Sequence, residues 1–95
     1  MEWSRIPRSE NLVELAALVS EAEIVLEFSQ TVRGWFRVSI FEDLQSTDPD
    51  GRFFARAAEK DDPAVQAVAT ASTPEEAATQ CIREAGVSLR RARGR

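Results

Sequence analysis

The stretch Trp35-Phe36-Arg37-Val38-Ser39-Ile40-Phe41 decides how this chain is read. Phe36, Val38 and Ile40 fall on one side and Trp35, Arg37, Ser39 and Phe41 on the other, the period-two pattern of a strand with two distinct faces. Working outward, Thr47-Asp48-Pro49-Asp50-Gly51 predicts a tight reversal, because proline pre-sets φ and glycine accepts a positive φ. A third strand is expected over residues 52–59, where Phe53, Ala55 and Ala57 alternate with Phe54, Arg56 and Ala58. Upstream, Ile24, Leu26 and Phe28 alternate with Val25, Glu27 and Ser29, a first strand that turns through Thr31-Val32-Arg33-Gly34. Beyond the charged loop Glu59-Lys60-Asp61-Asp62-Pro63, residues 65–71 predict a fourth strand. Its many alanines leave its inward face open.

Helical spacing brackets these strands. Leu12, Leu15, Ala16, Val19 and Ala22 follow a potential N-cap, Ser9, and predict a helix over residues 10–22. Thr73-Pro74-Glu75-Glu76 is a capping box with proline at the first helical position, and Ala78, Cys81, Ile82 and Ala85 recur along one face after it. Gly86 is expected to end this helix, with Val87 folding back on the last turn. The expected architecture is therefore α+β, in the order α-β-β-β-β-α. An antiparallel sheet of three to four strands carries two helices on one face. Residues 1–87 form a single domain in this reading, and residues 88–95 form a frayed, disordered basic tail.

Charge is unevenly placed. Residues 9–86 hold fifteen acids and six bases, a net −9, whereas residues 87–95 hold four arginines and no acid. An acidic body repels a phosphate backbone, so nucleic acid is disfavoured for the folded part. The single cysteine, Cys81, forms no intramolecular disulfide, and the opening Met1-Glu2-Trp3-Ser4-Arg5 lacks the apolar core of a secretory leader. The longest apolar run, Leu15 to Val19, is far short of a membrane span. The expectation is a cytoplasmic chain with no membrane partner.

Histidine and tyrosine are absent, which removes the usual general base and the commonest metal ligand. Cys81 lies in register with Ala78, Ile82 and Ala85 and reads as a small core residue rather than a nucleophile. Ser46, Asp48, Asp50 and Gly51 echo a calcium loop, but its closing glutamate position falls on Ala57, so a turn is the better reading. Glu59, Asp61 and Asp62 read as a solvated loop. Glu75 and Glu76 are explained by capping and the helix dipole. No catalytic residue, metal ligand or cofactor is assigned, and the chain is not read as an enzyme.

The feature left over is a second sheet face. If Phe36, Val38, Ile40 and Phe53 meet the helices, then Trp35, Arg37, Phe41, Phe54 and Arg56 project together from the far side. Rings among guanidiniums are enriched at protein interfaces, and they also stack exposed bases. A third reading is that the two faces are assigned the wrong way round. The basic run Arg90, Arg91, Arg93 and Arg95 is a further candidate contact, of the weak and salt-sensitive kind. The function expected is a non-catalytic protein-interaction or regulatory module, with a homo-oligomer as one form. The alternative is a nucleic-acid binder using the aromatic–arginine face and the arginine tail.

Two family resemblances accompany this reading. Phe41-x-Asp43-Leu44, and Thr73-x-Glu75-Glu76-Ala77 with Glu84-Ala85, resemble the strand end and helix entry of HicB-type antitoxins. That resemblance implies a ribonuclease-H-like ββ(β)α module that neutralises a small toxin by contact, often as an oligomer. With the leading helix, the order of elements also resembles a double-stranded RNA-binding domain. Here Pro74-Glu75-Glu76 stands where those domains carry a lysine-rich patch, which implies a surface that has lost its RNA function.

Overall fold

Alternation produces four strands and helical spacing one helix in the computed structural model, which describes residues 15–94. The elements are β1 (Ala16–Glu27), β2 (Arg33–Asp43), β3 (Phe53–Glu59), β4 (Gln66–Ala71) and α1 (Pro74–Arg93). The strands form one antiparallel meander in the order β1-β2-β3-β4. α1 lies across β4 and β3 and reaches β2, leaving β1 almost uncovered.

The sides of β2 divide as its alternation predicts. Phe36 and Val38 are buried with Ala55 and Ala57 of β3 and Ala67, Ala69 and Ala71 of β4. Against them α1 places Ala77, Cys81, Ala85 and Leu89, all fully buried. The alanines settle which side of β4 faces inward. Small side chains on both layers let the helix approach the sheet closely, and Phe36 and Leu89 are the large groups filling the space that remains. α1 begins as its capping box requires, with the Thr73 hydroxyl accepting the Glu76 N–H at 3.2 Å.

Three expectations are corrected. The leading helix expected over residues 10–22 is not what the chain forms: residues 10–14 lie outside the described residues, but Ala16–Ala22 belongs to β1. The described order is β-β-β-β-α, with one helix on the sheet instead of two. The helix-like spacing arises from a bulge. β1 pairs with β2 in one register through Leu18 and in another from Ser20, so Val19 is an extra residue that breaks the alternation. Pairing along almost the whole of β2 outweighs the helical periodicity.

The second correction is at the carboxyl end. Gly86 does not stop α1, which continues to Arg93, so residues 88–93 are helix rather than frayed tail. Gly86 is a notch, since a Cβ there would lie 3.0 Å from the Phe28 ring. The extra turns are held by buried Leu89 and by Arg93. Arg93 Nη2 meets Glu59 Oε2 at 2.5 Å, and its Nη1 donates to the Arg33 carbonyl at 2.8 Å. Glu59, expected to be a solvated loop acid, is only 2% exposed and ends β3 under the helix.

The third concerns the turns. No residue of the described chain has a positive φ. Pro49–Gly51 instead forms a 3₁₀ turn whose N-cap, Asp48, accepts the Asp50 N–H at 3.0 Å. Gly34, expected in a turn, lies within β2, where a Cβ would press on Glu59, Leu89 and Phe36 at 3.2 Å each.

Candidate interaction surface

Among the described residues no element lies over the sheet face opposite α1. The strand register sets its side chains in rows. Leu18, Phe41, Phe54 and Thr70 form the first, then Glu21, Ser39, Arg56 and Val68. Glu23, Arg37, Ala58 and Gln66 form the third, Val25 beside Trp35 the fourth, and Glu27 beside Arg33 lies beyond them. Two apolar bands thus flank a charged middle.

All five residues singled out for this face, Trp35, Arg37, Phe41, Phe54 and Arg56, share it, but they do not form one exposed cluster. Phe41 and Phe54 stack with ring centroids 5.1 Å apart. The Arg56 guanidinium lies 5.1 Å from the Phe54 centroid and 5.8 Å from that of Phe41. Phe54 is only 8% exposed, so this group is a satellite cluster of the fold. Trp35 stands apart at 46% exposed. Arg37 is bracketed by Glu21 at 3.4 Å and Glu23 at 3.6 Å. Lys60 adds a contact to Glu23 at 3.2 Å, and the Lys60 hydrogen bond and charge, with Arg37 behind them, hold the Glu23 carboxyl below its ordinary range.

The arginines at the carboxyl end are likewise engaged. Arg93 is tied to Glu59 and the Arg33 carbonyl, and the Arg90 guanidinium sits 4.6 Å from the centroid of Phe28. Arg91 is exposed on the last turn, and Arg95 lies outside the described residues.

Where apolar surface does reach water, it gathers around β1. Six large apolar side chains are exposed among the described residues: Leu18, Val19, Val25, Phe28, Trp35 and Val68. Three belong to β1, Phe28 follows it directly, and Trp35 is the cross-strand partner of Val25. β1 is also an edge. The Phe28 N–H bonds the Val32 carbonyl at 2.9 Å, and antiparallel pairs alternate, so Ser20, Ala22, Ile24 and Leu26 bond inward to β2. The backbone N–H and C=O groups of Glu21, Glu23, Val25 and Glu27 therefore point away from the sheet. Sequence reasoning found the carboxyl half of this strand, from Ile24 onward, but gave Ala16–Ala22 to a helix because Leu15, Ala16, Val19 and Ala22 fitted helical spacing. The β-branched Val19 was the available signal.

No three His, Cys, Asp or Glu side chains converge on a cation position among the described residues. An open cleft of about 680 Å³ borders Glu42, Asp43 and Asp48. There Glu42 pairs with Arg52 at 2.6 Å, Asp43 accepts the Gln45 N–H at 3.0 Å, and Asp48 caps the 3₁₀ turn. Cys81 is fully buried, with its Sγ 3.6 Å from the Ala67 carbonyl, and burial pushes its thiol up to about 11. Little thiolate therefore forms in the folded chain below strongly alkaline pH. Iodoacetamide is expected to leave Cys81 unmodified in native protein at mildly alkaline pH and to label it fully in denaturant; labelling at equal rates in both states contradicts this burial.

No protein-family model, curated protein or solved structure matches the chain. No helix among the described residues is long and apolar enough to cross a membrane.

Proposed function

We propose that this protein is a non-catalytic interaction module that docks an extended segment of a partner protein along β1 and the adjoining Trp35. The observation that carries the reading is the coincidence of two kinds of unsatisfied surface on one strand. β1 presents an outward row of backbone donors and acceptors, and the exposed apolar side chains cluster on it and beside it. Strand addition uses both at once: the backbone supplies affinity and the flanking side chains supply selectivity. A nucleic-acid role has less to draw on, because Glu21, Glu23 and Glu27 line the same strand and repel a phosphate backbone, and Arg93 is held by Glu59.

Panning a display library of linear peptides against the full chain tests the proposal. Enriched peptides are expected to lose binding to the Trp35→Ala variant and to keep it with Val68→Ala, which alters an exposed residue on the opposite edge strand. Failure to enrich any peptide, or enrichment indifferent to Trp35→Ala, overturns it.

A further inference from the structure

We infer that the segment accepted by β1 is one in which lysine or arginine alternates with aliphatic residues, so that the partner is a basic, extended stretch of another protein. This rests on the docking reading above and adds the chemistry of the occupant. The residues whose backbone groups point outward, Glu21, Glu23, Val25 and Glu27, carry their side chains on the open face, and three of the four are glutamates. Their cationic neighbours all lie inboard: Arg33 and Arg37 on β2, and Lys60 just past β3. On the outboard side, carboxylates stand at three of these four alternate positions, interrupted only by Val25, with no described residue on the outer edge beside them. A strand added there sets its own alternate side chains directly opposite these acids, where unlike charges attract and like charges repel.

The other side of β1 fixes the rest of the pattern. Ala22, Ile24 and Leu26 face the same way as the core at its margin, where Ile24 and Leu26 are half-buried and pack against the core cluster while Ala22 is exposed. The residues of an added strand that fall between its basic positions come to lie beside this apolar strip. Aliphatic side chains there extend the core face outward.

The same register argument weighs against a second copy of this chain as the occupant. A two-fold pairing of β1 with itself, centred anywhere from Ala22 to Val25, sets at least one glutamate opposite another. The edge is thus guarded against its own kind and open to the opposite charge.

The test uses the full chain and capped synthetic peptides as long as β1. One alternates lysine with valine and a second alternates glutamate with valine. A third has the lysine–valine sequence with N-methyl groups along one backbone edge, and a fourth has the same residues in two blocks. The alternating basic peptide is expected to bind at least roughly tenfold tighter than the acidic one, the sum of three cross-strand charge reversals. It is also expected to slow exchange of the outward amides of Glu21, Glu23, Val25 and Glu27, as read by NMR. Equal binding of the acidic peptide overturns the charge assignment. Equal binding of the N-methylated or block peptide overturns strand addition. Protection of the same four amides that rises with protein concentration alone makes a second copy the occupant and also overturns the inference. The two proposals fail separately. Library peptides that depend on Trp35 but lack a basic alternation leave the docking function standing and remove only this refinement.

Discussion

Replacing Arg93 with alanine is expected to destabilise the fold by about 2–3 kcal/mol, between the usual costs for an exposed and a fully buried pair, because Arg93 keeps 29% of its side chain open to water and Glu59 only 2%. Glu59 is buried beneath α1 with the Arg93 guanidinium on its carboxylate, and that guanidinium also satisfies the Arg33 carbonyl. Truncation leaves the Glu59 carboxylate without its counter-charge, screened only by the water that enters where Arg93 stood. The companion variant Glu59→Met removes both the charge and its desolvation. The double variant is therefore expected to recover most of the loss, as buried pairs replaced by apolar groups commonly do. Denaturant unfolding of the two single variants and the double variant reads this directly. A fully additive cycle, or a loss below about 1 kcal/mol for Arg93→Ala, excludes a buried pair and is what an exposed one gives.

The second large effect separates two neighbours in sequence. Phe36→Ala removes a ring with no exposed surface at the centre of the core and is expected to cost about 3–5 kcal/mol. Trp35→Ala removes a larger ring that is nearly half open to water, and a loss of only about 1 kcal/mol is expected, the centre of the range for point substitutions. A domain of this size has a total stability of roughly 5–15 kcal/mol, so the first substitution should shift its unfolding midpoint severely and the second modestly. Comparable losses at both positions would mean that Trp35 is packed as tightly as Phe36, and the docking surface would lose its aromatic anchor.

The strands that alternate cleanly were legible in the sequence. Phe36, Val38 and Ile40 against Trp35, Arg37, Ser39 and Phe41 gave the two faces of β2, and Thr73-Pro74-Glu75-Glu76 gave the start of α1. The misreadings share a cause: a local signal standing for a different tertiary circumstance. The bulge at Val19 mimicked helical spacing, and only the pairing of β1 with β2 tells the two apart. Gly86 looked like a helix terminus because nothing in the sequence announces that Phe28, far upstream, needs room there. Arg90 and Arg93 looked like a free basic tail because their partners, Phe28 and Glu59, lie across the fold. Of the residues assigned to the open face, the sharing of one side was readable from period alone. Their division into a Phe41–Phe54 stack beneath an exposed Arg56, and a separate exposed Trp35, depends on packing that no alternation encodes.

The meander has a consequence for how the chain assembles. Each strand pairs with its neighbour in sequence, so the sheet closes through short hairpins, each a small loss of chain entropy. The last turn of the helix is different: Arg93 returns to Arg33 across 60 residues. Arg90 likewise returns to Phe28, so the helix ties the carboxyl end of the chain to its first hairpin. Those long closures cost more chain entropy than any one hairpin, so the carboxyl-terminal clasp is expected to form after the ladder on which it lands.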